Sequence, residues 1–329
     1  MFINRQIGLY WCADTSVAHE SRPPHSSRRH PVAENCLICR VSSSTTIVTS
    51  VTSLAPPTIR DSTGNDVRVP VVDLGAVRLY YERAGDGPPL LLVNGSGTDL
   101  RREPNPFSFP VAKEFDLLAY DHRGLGRSEP IGPDRPPTMA DFADDAIALL
   151  DHVGWARCRV LGISFGGMVA QEIALRAPTR VERLVLACTS AGGGGGASYP
   201  LHETWALQPE ARIDQLIELM DTRARTDPEF AGLLRTWMES AEGGQGDAPE
   251  GLRRQLEARR RHDTWDRLAD LDAPTLVAAG RYDGIAPLAN AEALAARIPG
   301  ARLAVFDGGH GFFAQDPAAW PAMMSFLRD

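Results

Sequence analysis

A serine flanked by glycines, in the order Gly162-Ile163-Ser164-Phe165-Gly166, stands between an apolar run and a segment of helical periodicity. A sharp turn from a strand into a helix would hold Ser164 in a strained backbone conformation, with the two glycines leaving room for it. The hydroxyl would then lie at a helix N-terminus, where N–H groups and the helix dipole stabilise developing negative charge. This pattern predicts a nucleophilic serine, although a glycine-rich turn that only packs a helix on a strand has the same spacing.

A serine nucleophile needs a general base and an acid that orients the base. His310 lies in a Gly-Gly-His-Gly sequence after the apolar run Leu303–Phe306, and Asp283 follows the apolar run Thr275–Gly280. The chain order Ser, Asp, His matches one known arrangement of a catalytic triad. We therefore predict His310 as the base and Asp283 as the acid. Asp307, three residues before the histidine, is the alternative acid.

An oxyanion hole would complete this chemistry, and it requires two backbone N–H groups aimed at one point. One should come from Phe165, the residue after the serine, and the other from the loop after the apolar run Leu90–Val93. That loop reads Asn94-Gly95-Ser96-Gly97-Thr98, and Ser96 is the predicted second donor. Asn94, Gly95 and Gly97 are predicted to contact substrate. A plain Gly/Ser turn is the alternative interpretation.

The elements that must position these residues are short apolar runs alternating with helical patterns, from about Val67 to the C-terminus. Such alternation predicts an α/β fold, a parallel sheet flanked by helices. Thr138 followed by Asp141 is a capping-box pattern for a helix that ends at Gly154. Further predicted elements are the strands Val77–Glu82, Leu90–Val93, Phe115–Tyr120, Arg159–Ile163, Val181–Cys188, Thr275–Ala279 and Leu303–Phe306, the helix Phe165–Arg176 and a last helix from about Pro317.

Between about residues 191 and 271 the alternation stops and only amphipathic helical patterns remain. We predict a core formed by residues 66–190 and 272–329, with 191–271 as a helical cap over the edge where open α/β sheets bind ligands. Trp237 and Phe312 are candidates to line an apolar substrate pocket, although core packing would use the same residues. The last helical pattern of the insertion carries five arginines, Arg253, Arg254, Arg259, Arg260 and Arg261. One of them could bind a substrate carboxylate, while a solvated helix face is the simpler explanation.

Composition excludes several classes of protein. The 329 residues include 34 Lys and Arg against 42 Asp and Glu, so the net charge of −8 argues against nucleic-acid binding. No apolar run approaches the roughly 18 residues that a membrane span needs, so no membrane partner is expected. Five cysteines form no disulfide framework, which indicates a reducing compartment, and we expect a cytoplasmic protein. The oligomeric state is not readable from the sequence.

Residues 1–65 differ from the rest of the chain. The first 60 contain six Arg, no Lys, three acidic residues and much Ser and Thr, without a useful periodicity. We predict a disordered extension, or one that precedes the true translation start. An organelle transit peptide is a weaker alternative. A zinc site is weaker still, because the possible ligands match no known spacing: His25, His30, Cys36 and Cys39.

Together these features resemble the α/β-hydrolase family. The stretch Asp121-His122-Arg123-Gly124-Leu125-Gly126-Arg127-Ser128 is typical of its proline-iminopeptidase, esterase, haloperoxidase and lactonase branches. The resemblance covers residues 70–329. Asn94 replaces the histidine that most relatives carry there, and the 94–100 loop is similar to that of 3-oxoadipate enol-lactonases. A serine at position 164 disfavours the dehalogenase and epoxide-hydrolase branches, whose nucleophile is an aspartate.

The resemblance implies an eight-stranded, mostly parallel sheet with a helical cap, and hydrolysis of a small-molecule ester or lactone through an acyl-enzyme, without cofactor or metal. The same triad could instead serve a cofactor-free haloperoxidase or perhydrolase, a C–C bond hydrolase, or a biosynthetic acyl-transferring or cyclising enzyme. A receptor for a small molecule, without catalysis, is a further alternative, and partner binding through the N-terminal segment rests on composition alone.

Overall fold

Strands and helices alternate along most of the chain in a computed structural model, which describes residues 71–130, 135–241 and 250–329 and the backbone of 58–60 and 66–68. The remaining residues, including most of the predicted 1–65 extension and its possible zinc ligands, lie outside the described part. The strands are β1 (Thr58–Arg60), β2 (Asp66–Arg68), β3 (Val71–Asp73), β4 (Val77–Ala84), β5 (Pro89–Val93), β6 (Asp116–Tyr120), β7 (Glu129–Pro130), β8 (Cys158–Ile163), β9 (Val181–Ala187), β10 (Thr275–Gly280) and β11 (Arg302–Phe306).

The main sheet has the strand order β11-β10-β9-β8-β5-β6-β4-β3, with β7 paired to one end of β4. From β11 to β6 every neighbouring pair is parallel, whereas β4 is antiparallel to β6, β3 and β7. The predicted eight-stranded, mostly parallel sheet is confirmed, and the two-residue β7 adds a ninth strand. Because parallel strands end at the same edge, the loops after β5, β8, β10 and β11 meet there.

The helices cover both faces of this sheet. Thr138 caps the first of them, since its side chain accepts from the Asp141 amide while the Asp141 carboxylate accepts from the Thr138 amide, as the capping-box pattern predicts. The helices are α1 (Met139–His152), α2 (Phe165–Arg176), α3 (Pro209–Met220), α4 (Pro228–Ala241), α5 (Glu250–Arg260), α6 (Leu288–Arg297), α7 (Phe312–Gln315) and α8 (Ala319–Arg328).

The two largest hydrophobic clusters pack on opposite faces of the sheet. In β5, Leu91 and Val93 belong to the cluster that contains α1, α2 and α6 side chains, because alternate residues of a strand point to opposite faces. Leu90 and Leu92 belong to the cluster that contains α8 side chains. Burial on both faces explains why the central strands read as continuous apolar runs in the sequence.

Between β9 and β10 the described residues form only helical elements, namely α3, α4, α5 and several short 3₁₀ turns. This agrees with the helical patterns in the sequence, although the boundaries of a separate cap stay a prediction. Six elements were not among those predicted, namely the strands β1, β2, β3 and β7 and the helices α6 and α7. Strand β3 is too short to show a pattern, α6 is rich in small alanines that make a weak apolar stripe, and β1 lies inside the segment predicted to be disordered. No helix among the described residues is long and apolar enough to cross a membrane.

Candidate active site

Ser164 stands at the tight turn between β8 and α2. Its backbone has φ 57° and ψ −114°, a conformation that is uncommon outside glycine and costs conformational energy. The flanking glycines are required by close approach, since a Cβ atom at position 162 would stand 2.5 Å from the Gly166 carbonyl oxygen, and one at position 166 would stand 1.9 Å from the Val93 oxygen. The turn is held further by the Ser164 amide, which donates to the Ala187 oxygen at 2.8 Å.

Three side chains from three different loops form a continuous hydrogen-bonded series. His310 Nε2 lies 2.9 Å from the Ser164 hydroxyl oxygen, and His310 Nδ1 lies 2.8 Å from Asp283 Oδ2. The other carboxylate oxygen of Asp283 accepts from the amides of Ile285 and Ala286, each at 2.8 Å. The Asp283 side chain is fully buried, so its orientation is fixed and its negative charge faces the imidazole. The structure brings together the three residues that the sequence predicted.

Asp307, the alternative acid, is directed away from this site. Its side chain is exposed, and its carboxylate lies 3.6 Å from the Arg223 guanidinium. Its backbone amide donates to Asp316 at 2.9 Å. Asp307 therefore has no contact with His310 that could orient the ring, and Asp283 alone occupies the position of the acid among the described residues.

The 94–98 loop passes directly beside Ser164. A Cβ atom placed on Gly95 would be 3.7 Å from Ser164 Cβ, and the Ser96 hydroxyl is buried. Gly97 donates its amide to the Gln255 side-chain oxygen at 3.0 Å, and the Thr98 hydroxyl donates to the Gly95 oxygen at 2.9 Å. The loop therefore lies next to both Ser164 and the start of α2, where a Cβ atom on Gly166 would be 2.5 Å from the Asn94 oxygen.

His122 holds this loop by a hydrogen bond. Its ring is buried, which lowers its pKa to about 4 and keeps it neutral near pH 7. Nε2 lies 3.1 Å from the Asn94 carbonyl oxygen, so the neutral ring carries its proton on Nε2 and donates it there. The ring also makes edge contacts with Phe142 and Phe165, with centroids 5.6 and 5.2 Å apart. The sequence showed the motif that contains His122 but not this role.

Asp121, the first residue of the same motif, joins two loops. Its buried carboxylate accepts from the amides of Leu100 at 2.8 Å and Arg127 at 2.9 Å. Burial raises the pKa of Asp121 to about 6 despite these two hydrogen bonds. The last motif residue, Ser128, donates to the Asp121 carbonyl oxygen and accepts from Tyr80. The hydrogen bonds of Asp121 and His122 therefore tie the motif to the 94–100 loop.

The C-terminal end of α3 contacts both loops that carry the histidine and the aspartate. The His310 amide donates to the Met220 oxygen at 2.6 Å, and the Gly284 amide donates to the Leu219 oxygen at 3.0 Å. Asp221 is buried and accepts from Gln315 Nε2 at 3.1 Å, while the Gln315 oxygen accepts from the Gly309 amide at 2.7 Å. The inserted helical segment therefore takes part in holding Asp283 and His310 at hydrogen-bonding distance.

The structure tests one of the two residues predicted to line an apolar pocket. Phe312 is wrong as a substrate contact, because its side chain is 0 % exposed and stacks on Phe306 with ring centroids 5.1 Å apart inside the core. The side chain of Trp237 lies outside the described residues, so its prediction is not tested. Asn94 is buried, and its carbonyl oxygen accepts the hydrogen bond from His122. Within the described residues, no cluster of three or more His, Cys, Asp or Glu could hold a metal ion.

Comparison with known proteins agrees with this geometry. The family model for the alpha/beta hydrolase fold matches residues 88–317. A poly(3-hydroxyalkanoate) depolymerase from Ectopseudomonas oleovorans is 33% identical over 249 residues, covering 73% of this chain and 84% of the relative. A 3-oxoadipate enol-lactonase from Acinetobacter baylyi is 29% identical over 252 residues, covering 74% of this chain and 90% of the relative.

Among solved structures, the enol-lactonase from Burkholderia xenovorans LB400 superposes with a TM-score of 0.64 at 26% identity, covering 79% of this chain and 100% of that one. The matched region includes the strands and loops that carry Ser164, Asp283 and His310. The chain belongs to the α/β-hydrolase fold family. Its relatives named above are hydrolases, which supports a hydrolase activity for this protein.

Proposed function

We propose that this protein is a serine hydrolase that cleaves a carboxylic ester or lactone through an acyl-enzyme formed on Ser164. The observation that carries the proposal is the series of hydrogen-bonding distances from Ser164 through His310 to the buried Asp283. A serine hydroxyl is a weak nucleophile unless an adjacent base removes its proton, and this arrangement supplies the base.

In the acylation half of the reaction, His310 Nε2 accepts the Ser164 proton while Oγ attacks the substrate carbonyl carbon. Asp283 accepts a hydrogen bond from His310 Nδ1, which holds the tautomer with a free Nε2 and stabilises the imidazolium that forms. When the tetrahedral intermediate collapses, the imidazolium donates its proton to the leaving alkoxide or enolate. The acyl group then remains bound to Ser164 as an ester.

Water completes the cycle by the same route. His310 takes a proton from water as the water oxygen attacks the acyl carbon, and the second collapse expels the Ser164 oxygen. The imidazolium returns its proton to that oxygen, and a carboxylic acid leaves. Atoms and protons balance with no cofactor.

The backbone amides of Phe165 and Ser96 are the proposed oxyanion donors. Phe165 is the first residue of α2, so its N–H belongs to the unpaired group at a helix N-terminus, where the helix dipole also favours an anion. The passage of the 94–97 loop beside Ser164 supports Ser96 as the second donor. Each such donor typically contributes on the order of 10²–10³ in rate.

For the substrate, an enol-lactone or a related lactone is the specific candidate. The similarity to enol-lactonases over most of both chains supports it. We also propose that the helical segment between β9 and β10 acts as a cap, since α3 and α5 contact the loops around Ser164 and His310. A cap of this kind would limit the size of the substrate and exclude water during acylation.

The test is a panel of lactones, enol-lactones and short aryl esters, assayed with the wild type and with Ser164→Ala. We expect turnover of at least one class, and a loss on the order of 10⁴-fold or more in kcat for the variant, with an unchanged melting temperature. Retained turnover in Ser164→Ala would contradict the proposal. Product analysis with hydrogen peroxide, or with a dienol-ketone substrate, would instead reveal perhydrolase or C–C hydrolase chemistry at the same serine.

A further inference from the structure

One arginine of α5 differs from its neighbours. Most of the cationic cluster faces solvent and forms ion pairs with glutamates of the same helix: Arg254 with Glu250, and Arg260 and Arg261 with Glu257. Arg259 is only 7 % exposed. The sequence did not distinguish it from the others, because the arginines form two short runs, 253–254 and 259–261, and packing shows which one turns inward.

The guanidinium of Arg259 has most of its donors free. Nη1 donates to the Tyr199 carbonyl oxygen at 2.6 Å, while Nε and Nη2 are buried and have no hydrogen-bond partner in the structure. Asp283 is the acidic group that interacts electrostatically with Arg259, but both oxygens of that carboxylate already have other hydrogen-bond partners. Burial lowers the pKa of Arg259 to about 10, which still leaves it protonated near pH 7. Burying a charge without an ion-pair partner costs free energy of folding, so the presence of Arg259 at this position calls for an explanation.

Two further unpartnered polar groups lie where α5 meets the 94–97 loop, one on the helix and one on the loop. Gln255, one helical turn before Arg259, is completely buried and accepts the Gly97 amide through Oε1. This bond fixes the side-chain amide, and its Nε2 group is left without a partner. The hydroxyl of Ser96, next to Gly97, is also buried and unpartnered. Arg259 Nε and Nη2, Gln255 Nε2 and the Ser96 hydroxyl are therefore buried donors without an acceptor.

We propose that Arg259 and Gln255 bind a carboxylate of the substrate, at a distance from the carbonyl that Ser164 attacks. This inference rests on the proposed hydrolase function and narrows its substrates to acids that carry an ester or lactone. Guanidinium and amide N–H groups converging on two carboxylate oxygens form the strong, charge-assisted type of hydrogen bond. The donor atoms are closed to bulk solvent, so the proposal requires that α5 side chains rearrange to admit the ligand, and a carboxylate bound there would pair without competition from water.

The position of the two side chains on α5 guides the choice of probe. Gln255 and Arg259 are four residues apart on a helix, about 6 Å along its axis, and Gln255 contacts the loop that carries the proposed oxyanion donor. A carboxylate bound at Arg259 would lie on the same helix face as Gln255 and near this loop, so the half-ester of a five-carbon diacid is the probe chosen to test the proposal.

The experiment compares 4-nitrophenyl hydrogen glutarate with 4-nitrophenyl pentanoate, which have acyl chains of equal length and differ in the terminal carboxylate. After subtraction of the uncatalysed rates, we expect the wild type to favour the glutarate at least tenfold in kcat/KM. Arg259→Met should reduce this preference at least tenfold, and Arg260→Met, on the exposed face, should leave it unchanged. As a second measurement on the wild type, glutarate should inhibit at least tenfold more strongly than neutral glutaramide.

A wild type that shows no preference for the anionic ester, or an Arg259→Met variant that loses activity equally on both esters, would overturn the inference and leave Arg259 a packing residue. If Arg259→Met does not fold, the inhibition measurement decides. Equal inhibition of the wild type by glutarate and glutaramide would then by itself overturn the inference. Failure of the proposed function is distinct, because Ser164→Ala would then retain turnover of the neutral pentanoate.

Discussion

Ser164 illustrates how this chain places a reactive group by backbone geometry. The residue has a positive φ, and the contacts that Gly162 and Gly166 make with surrounding backbone leave no space for a side chain at either position. The strain is held by the flanking β8 and α2, both of which are buried in the core. The result is a hydroxyl that faces His310 and lies at the start of a helix, where an anion is stabilised.

The two aspartates near His310 give the first prediction. Asp283→Asn should lower kcat for ester hydrolysis by about 10⁴-fold, because an asparagine cannot hold the tautomer of His310 that leaves Nε2 free. Asp307→Asn is the matched control, since its exposed carboxylate pairs with Arg223 and does not reach the imidazole. Steady-state kinetics on one aryl ester would test both, and a larger effect at Asp307 than at Asp283 would contradict the assigned acid.

At the scale of elements, the end of α3 links the inserted segment to the catalytic loops. Gln315 joins the buried Asp221 to the Gly309 amide, immediately before His310. Loss of this bridge would leave the buried Gly309 amide unpaired, at a cost of about 1–3 kcal/mol, whereas Asp221 would keep its ion pair with Arg223, and the loop would shift to compensate. A small displacement of a catalytic ring is sufficient to slow the chemical step.

We therefore predict that Gln315→Leu lowers kcat by about tenfold to a hundredfold while KM changes little, because the residue positions His310 and does not contact substrate. Gln208→Leu, an exposed position just before α3, should have no effect. The measurement is the separate determination of kcat and KM. A rise in KM alone would show that Gln315 acts on substrate binding instead.

The sequence predicted most elements because their signals are local. The helix Phe165–Arg176 and the capping box at Thr138 agree with the structure in both cases. Long-range relations leave no such signal, since Asp221 and Gln315 are 94 residues apart and only the fold brings them together. Phe312 was misassigned for a related reason: an aromatic residue beside a site residue can point toward the site or the core, and packing decides which.

At the scale of the whole molecule, buried histidines should make stability depend on pH. His262 is almost completely buried, which lowers its pKa to about 4, with Glu172, Asp263 and Arg267 as the charged groups around it. In the unfolded chain the imidazole titrates near pH 6.5. Between pH 6.5 and 4 the unfolded chain therefore binds a proton that the folded protein does not, and stability falls as the pH falls.

From pH 7 to pH 5 this single group should reduce the free energy of unfolding by about 2 kcal/mol. Over that interval, the decrease in the free energy of unfolding should be smaller for His262→Phe than for the wild type, and the difference should equal this contribution. His152→Gln, at an exposed position, should follow the wild type. Denaturant unfolding at the two pH values gives the comparison, and an equal loss in His262→Phe and the wild type would show that His262 does not cause the acid sensitivity.

The account as a whole depends on Ser164 forming a covalent bond during catalysis. The most direct measurement is mass spectrometry of the wild type after reaction with a fluorophosphonate, combined with sequencing of the labelled peptide. We predict a single adduct on Ser164, formed in proportion to the loss of esterase activity, and no adduct in Ser164→Ala. Labelling at another residue, or full activity with Ser164 modified, would contradict the proposed mechanism.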